Sequence, residues 1–432
     1  STVKPEIVSG CQIYFTYGGD DNLRNLLNYL GKELLNAEVP VDPPAKLPWD
    51  GIYHPDAGKI FSSTEDYLKW YEPRKHDAPW VSVIFLRFWW IAGNLAIEDA
   101  LIRQLESEGM NVIPMFTYWA RDEGVGARGI AEDINHYLMK NGVSRVDAMI
   151  KLVPYLLGAT KTGDFESTTA IISGIDLLKT LNIPVFQPIV SGYLTVEQWR
   201  ESKGLTHDTG HAVAMPEFDG VIEPIYIGSS GSVTDGDNSK EFVVDRIRKV
   251  TSRVKKWIAL AKKPVHERKV AFILNNSPCG NLDANIGGGA HFDSLESVAR
   301  ILQSMQEAGY NVSAPESGKE LIQTIIDKRA KSEFRWTTIE DIVSHGGALM
   351  QMNMETYLPY FKSLPPAVQQ KMNETWNEPP GLGMVYDNKI LVVGVSYGNA
   401  TVHVQPKRGC YGARCDGEVC KILHDPDCPP TH

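Results

Sequence analysis

The sequence lacks most of the signals that assign a chain quickly. No Gly-x-x-x-x-Gly-Lys-Ser/Thr occurs, so it holds no P-loop for a triphosphate, and no Gly-x-Gly-x-x-Gly directly opens the helix that follows the glycine-rich loop Asn275 to His291. No apolar run reaches the length of a membrane span, and the first residues do not form a signal peptide. No block of lysine and arginine stands out and the net charge is −10, so nucleic-acid binding is not expected. Cysteine is scarce, six in 432 residues: Cys11 and Cys279 stand apart, and Cys410, Cys415, Cys420 and Cys428 crowd the C-terminus. A disulfide scaffold spreads its cysteines through a small domain, so this usage fits a reducing, cytoplasmic compartment. The chain starts on Ser1 without methionine and ends on Pro429-Pro430-Thr431-His432, so a fragment of something longer is expected.

What is present is ordinary globular sequence, 43% hydrophobic and 22% charged, with enough length for two or three cores. Its organising stretch is Lys269 to Val312. Val270 to Leu274 is a continuous apolar run, expected as a strand buried on both faces. Asn275 to His291 is a loop with four glycines. Asp293 or Ser294 caps a helix whose Leu295, Val298, Ile301, Leu302 and Met305 recur at helical spacing, Gly309 ends it, and Tyr310-Asn311-Val312 opens the next strand. Such a loop lies where α/β sheets place ligands. Asn281, Asp283, Asn285 and His291 suit a polar organic ligand better than a triphosphate; the plain alternative is a flexible connection.

A second unit precedes it. Val81 to Phe85 reads as a buried strand, Leu95 to Glu108 as a crossover helix, and Val112 to Phe116 as the next parallel strand. Arg87-Phe88-Trp89-Trp90 follows the first strand. The two tryptophans are either a stacking platform or core and rim. Further expectations are a strand at Cys11 to Tyr17, a helix starting at Asp20 or Asp21, and a proline-rich linker from Pro40 to Pro48. Gly51 to Asp56 is a turn in which His54 and Asp56 are either site residues or turn-holding groups. Asp133 to Leu157 and Thr168 to Leu181 read as helical, and Val185 to Val190 as a strand. Val213 to Met215 reads as a short strand leading to Glu217 and Asp219. These point the same way if extended, as acid and base or as metal ligands; the alternative is a turn. Val221 to Ile227 reads as a strand. Phe242 to Ala261 is a basic helix, read as a solvated face rather than a dock for an acidic partner. Leu349 to Leu364, with Met350, Met352, Met354, Tyr357, Tyr360 and Phe361, reads as adaptable core. Ile390 to Tyr397 and Thr401 to Gln405 pair through Gly398-Asn399. The cysteine separations in the tail are five, five and eight, not paired Cys-x-x-Cys. With His424 and Asp425 near, those cysteines form a zinc or iron–sulfur site or remain free thiols.

The expected fold class is α/β, with two or more Rossmann-like domains, parallel sheets with flanking helices, around a cleft. The segments are 1–79 (a strand–helix unit and linker), 80–265 (first α/β domain), 266–405 (second α/β domain) and 406–432 (cysteine-rich tail).

Several stretches together resemble one family. They are GIYHPDAGKIFSSTEDYLKWY, VIFLRFWW with DALIRQLESEGMNVIPMF, LNIPVFQPIV with MPEFDGVIEP, the Lys269–Val312 stretch, ETWNEPPG, and NATVHVQPKRG with ILHDPDCPPTH. The chain is similar to the large subunit of ATP-dependent metal chelatases, which comprises the cobaltochelatase (CobN) type and the magnesium chelatase H subunit. The resemblance implies a ligase-type chelatase subunit that binds a tetrapyrrole and accepts a divalent metal, while partner AAA+ subunits bind ATP. Cobalt insertion into hydrogenobyrinic acid a,c-diamide, in cobalamin biosynthesis, is the first expectation; the soft resemblance of the tail to the cobalt branch supports it. Magnesium insertion into protoporphyrin IX is the alternative, and a non-catalytic tetrapyrrole or metal carrier the other. A sugar or nucleotide-sugar transferase is a competing class, disfavoured by the lack of an Asp-x-Asp motif at a strand end. The family continues beyond His432 into a Gly-x-His-Gly-x-x-Glu segment, so this stretch alone is not expected to insert metal. Insertion needs a base for the pyrrole protons and a weak ligand for the metal. Candidates are Glu217, Asp219, His291, His403 and His432. Arg87, Trp89, Trp90, Asn281, Asn285, Gly288, Trp376, Arg408 and Tyr411 are candidates for holding the macrocycle, and Cys410, Cys415, Cys420 and Cys428 for a bound metal.

Overall fold

The computed structural model describes residues 3–72, 77–155, 157, 174–204, 208–231, 240–276, 285–333, 337–406 and 429–432. Asn281, Asp283, Arg408, Tyr411, His424, Asp425 and the cysteines Cys279, Cys410, Cys415, Cys420 and Cys428 lie outside the described residues. The chain divides into two compact units, Ser1–Ala261 and Lys262–His432. Both are mixed α/β with parallel sheet portions.

The first unit is built on a five-stranded sheet. Its strands are β1 (Gly51–Ile52), β2 (Trp80–Leu86), β3 (Asn111–Thr117), β6 (Ala148–Lys151) and β7 (Val185–Phe186), in the order β1-β3-β2-β6-β7. A small hairpin, β4 (Met139–Lys140) and β5 (Val143–Ser144), lies between β3 and β6 in sequence. β2 pairs in parallel with β3 and β6, and β6 with β7; only β1 runs antiparallel. The helix Ala96–Ser107 joins β2 to β3, and its Ile97, Leu101, Ile102 and Leu105 are fully buried. Their i, i+4, i+5, i+8 spacing makes one apolar face against a sheet of β-branched and aromatic residues. The basic helix Val244–Lys262 buries Ile247, Val250, Val254 and Ile258 in the same core. A second sheet, β10-β9-β8, contains β8 (Ile189–Ser191), β9 (Tyr226–Ser229) and β10 (Glu241–Phe242).

Several expectations fail in this unit for local reasons. Cys11 to Tyr17 is not a strand but the end of a helix, Pro5–Tyr17, with proline in its first turn. It buries Ile7 and Tyr14 seven residues apart and packs on the helix Asp20–Leu35. Gly18 and Gly19, at φ 68° and 86°, make the tight connection. The segment 133–157 is not one helix. The helix Ile130–Leu138 gives way to the β4–β5 hairpin, because Asn141-Gly142, at φ 51° and 78°, supplies a primed turn. Residues 213–215 are not a strand: a π-helical turn, Thr209–Ala214, runs into the helix Met215–Asp219. Pro216 inside its start and Gly220 past its end, at φ 88°, punctuate that helix. Glu217 is therefore exposed and Asp219 buried, rather than both pointing one way. The strand expected at 221–227 starts only at Tyr226, and the run at 185–190 is broken between Phe186 and Ile189.

The second unit holds two three-stranded sheets, β11-β16-β15 and β12-β14-β13. The strands are β11 (Val270–Leu274), β12 (Ala348–Met352), β13 (Val385–Tyr386), β14 (Lys389–Val393), β15 (Val395–Tyr397) and β16 (Ala400–Val404). β11 lies parallel to β16, and β15 pairs with β16 through the expected Gly398-Asn399 turn. The helix Ser294–Glu307 begins on Asp293, whose Oδ1 accepts from Glu296 N–H at 3.0 Å. Two expectations fail around it. β11 is an edge strand with one packed side: Leu274 is buried, while Ile273 is 70% exposed. Val312 makes a single bridge to Gly398 rather than opening a strand. The methionine-rich stretch is not uniformly core either. Phe361 is buried, but Met350 and Tyr360 are exposed.

Candidate functional site

Four parallel strands of the first sheet end on polar groups. Thr117 and Lys151 are the last residues of β3 and β6, while Arg87 and Gln187 immediately follow β2 and β7. All four are buried. Apolar strands that finish in buried polar side chains along one edge mark the side where open parallel sheets take ligands.

Arg87 donates to the carbonyls of Pro48 (Nε, 2.7 Å) and Tyr17 (Nη2, 2.8 Å), with Leu47 O at 3.5 Å, and lies 4.2 Å over the Trp49 ring. Burial lowers its pKa to about 10. It thereby ties the N-terminal helix and the linker to the sheet edge. The linker is pinned further: Tyr14 Oη donates to Asp42 O at 2.6 Å, and Asn22 exchanges hydrogen bonds with Ala45.

Thr117 Oγ1 donates to Asp133 Oδ2 at 2.6 Å and accepts from Trp119 N–H at 3.0 Å. Asp133 Oδ1 lies 3.1 Å from Arg128 Nε, and Arg128 also binds Asp50, which accepts from Tyr137 Oη at 2.6 Å. Burial, with the nearby Asp50 charge, raises the Asp133 pKa to about 8. A carboxyl that exchanges a proton near neutrality thus stands directly behind Thr117.

Lys151 Nζ donates to Val153 O and Gln187 Oε1, both at 2.6 Å. Burial lowers its pKa to about 7 against an opposing pull from Asp219. Asp219 Oδ2 accepts from Leu157 N–H at 2.7 Å, and burial raises its pKa.

A cavity of about 400 Å³ opens where the two N-terminal helices meet this edge. Its apolar wall includes Phe15, Leu23, Leu86, Phe88 and Ile91, and Thr117 and Tyr118 also line it. Phe88, not the adjacent tryptophans, faces the open side. Trp90 stacks on Phe116 at 4.5 Å, and Trp89 lies under Lys240 Nζ at 4.0 Å.

The remaining expected site residues scatter. His54 is fully buried, with Nε2 3.2 Å from Glu106 Oε1 and Nδ1 accepting from Asp56 N–H, so the turn is held by its own side chains. His291 is exposed at φ 57°. Asn285 and Gly288 close a turn at 3.1 Å, near Asn275. His403 bonds Val393 O and Thr401 Oγ1 at 2.7 and 2.9 Å. Trp376 and His432 do come together in the second unit. Trp376 Nε1 donates to Pro429 O at 3.0 Å, and His432 sits 2.8 Å from Asn377 O and 3.2 Å from Tyr357 Oη, with its ring against Phe361. Among the described residues no group of three His, Cys, Asp or Glu could hold a metal ion, and no helix is long and apolar enough to cross a membrane.

The sequence profile described as CobN/Magnesium Chelatase matches residues 12–432. The chain belongs to the CobN/magnesium chelatase family. An uncharacterized protein of Methanocaldococcus jannaschii is 43% identical over 98% of this chain and 34% of its own length. Magnesium-chelatase subunit ChlH of rice, Oryza sativa, is 27% identical over 96% of the chain and 29% of its own length. Aerobic cobaltochelatase subunit CobN of Pseudomonas aeruginosa is 25% identical over 97% and 31%. The catalytic subunit of cobaltochelatase from Mycobacterium tuberculosis shares the fold, with a TM-score of 0.62 and 24% identity over 95% of this chain and 32% of that one. The chain thus spans about a third of the length of these curated relatives. Cobalt and magnesium branches match it at nearly equal identity.

Proposed function

We propose that this chain is the part of a chelatase large subunit that receives the tetrapyrrole, and that the macrocycle meets it at the carboxyl edge of the first sheet. Family membership over nearly the whole chain supports the reaction class, insertion of a divalent metal. The observation that carries the location is the apolar cavity lined by Arg87 and Thr117, two of the buried polar groups along that edge. A planar hydrophobic ring is held by apolar walls, with a few placed polar groups to orient it. Asp133 backs Thr117 of the cavity lining, and burial raises its pKa to about 8. ATP hydrolysis belongs to partner AAA+ subunits; this stretch contains no P-loop sequence.

The two reactions to separate are cobalt insertion into hydrogenobyrinic acid a,c-diamide and magnesium insertion into protoporphyrin IX. A titration of the chain with each macrocycle, followed by tryptophan quenching and macrocycle absorbance, tests the proposal. Saturable binding of one of them is the expected result, and which one binds assigns the branch. Binding of neither would contradict the reading for this stretch.

A further inference from the structure

Four large side chains that line the cavity stay well exposed. Phe15 is 66% exposed and Phe88 63%, with Leu23 and Tyr118 beside them at 41% and 36%. Scattered exposed apolar residues are normal on a surface, but a group around one concavity marks a binding site. Among the described residues, two charged side chains line this cavity, Arg87 and Asp20. The Arg87 guanidinium is engaged by the carbonyls of Tyr17, Leu47 and Pro48 and by the Trp49 ring. Asp20 is exposed and begins the helix Asp20–Leu35, with Asp21 beside it. Those two carboxylates already complement the positive end of that helix, so its first turn offers little to an incoming anion.

A ligand carboxylate entering here would lose hydration, meet no unengaged cation among the lining residues, and face Asp20. The volume of about 400 Å³ lies low in the range of organic-ligand pockets, which suits an edge of a substituted macrocycle rather than the whole ring. We infer that the cavity takes an uncharged, apolar edge of the tetrapyrrole and leaves its carboxylates outside. The inference rests on the chelatase reading above and specifies which side of the substrate meets the chain. It favours macrocycles whose carboxylates are gathered on one edge over those that carry them all round.

The test is a direct binding comparison on the chain itself. The probes are mesoporphyrin, with its carboxylates on one edge; uroporphyrin, with carboxylates on every edge; and hydrogenobyrinic acid a,c-diamide. Mesoporphyrin is expected to bind at least about tenfold tighter than uroporphyrin, because burying an unpaired charge outweighs the shared ring contacts. Leu23→Asp is expected to weaken mesoporphyrin by about tenfold or more for the same reason. Leu34→Asp, which adds a charge at a similarly exposed position of the same helix but outside the cavity lining, is expected to leave binding unchanged. Circular dichroism of both variants separates lost folding from lost binding. Uroporphyrin binding as tightly as mesoporphyrin, or unchanged affinity in folded Leu23→Asp, would overturn the inference. Binding of hydrogenobyrinic acid a,c-diamide alone would overturn it while sustaining the chelatase reading. Binding of no tetrapyrrole would overturn both.

Discussion

Lys240→Met is expected to destabilise the first unit by about 3–5 kcal/mol, the cost typical of leaving one partner of a buried ion pair uncompensated. Lys240 Nζ lies 2.5 and 2.7 Å from the two oxygens of Glu98, and the paired side chains are 1% and 2% exposed. Glu98 sits on the crossover helix Ala96–Ser107, and Lys240 leads into β10 of the second sheet, so the pair links two layers. Burial raises the Glu98 pKa and lowers the Lys240 pKa, although each partner pulls the other the opposite way. Desolvation therefore outweighs attraction, and the pair is costly to break without being a large net gain. The double variant Glu98→Leu/Lys240→Met is expected to recover most of the loss, since it leaves no orphan charge. Urea unfolding measures both; Trp89, which lies under Lys240, reports the local transition. A single variant as stable as the parent, or a double variant no better than the single, would contradict this account.

The second large effect concerns pH. Burial holds Lys151 near pKa 7, against a reference of 10.5. Between about pH 7 and pH 10 the unfolded chain then carries a proton on this lysine that the folded chain has lost. Stability gained from this residue therefore rises with pH across that window, and is flat below and above it. Lys151→Met removes the titrating group. The difference in unfolding free energy between parent and variant is expected to shift in the parent's favour as pH rises from about 7 to 10. Asp133, with its raised pKa, acts in the opposite direction, but it is common to both proteins and cancels. A parent–variant difference that stays constant over the window would show that Lys151 is not held in a shifted state.

Legibility followed the strength of local signals. The β2–helix–β3 unit was readable because a buried apolar strand and a 3.6-residue stripe both lie inside a short window. The helix Ser294–Glu307 was readable from its aspartate cap and closing glycine, and β15–β16 from Gly398-Asn399. Failures came where punctuation competed with hydrophobicity. Asn141-Gly142 broke an apparently helical run, and Pro216 with Gly220 turned an apparently extended run into a helix. β11 looked buried on both faces because its composition is apolar, yet burial is set by tertiary neighbours that no single strand encodes.

The site was less readable than the fold. Arg87, expected to hold the macrocycle, also lines the cavity, and its guanidinium binds the carbonyls of Pro48 and Tyr17. Lys151 and Gln187 are hard to single out because each is one polar residue at the end of an ordinary strand, and Asp133 because it is one of two acidic residues in the first turn of a helix. The signal shared by Lys151 and Gln187 is a polar side chain at the end of an apolar strand, as in Ala148–Lys151, and it gains meaning only once strand order places those ends side by side. The cavity's wall joins Phe15 and Leu23 to Phe88 across more than sixty residues of sequence, a meeting that periodicity does not reveal.

The macrocycle is proposed to meet the carboxyl edge of the first sheet. Hydrogen–deuterium exchange of the chain, with and without the tetrapyrrole that binds it in titration, tests this most directly. Protection concentrated in peptides covering 13–23 and 86–92, with the start of 117–130, is the predicted result. Protection confined to 353–377 and the segment around Trp376 and His432, with the first sheet's edge unchanged, would contradict it.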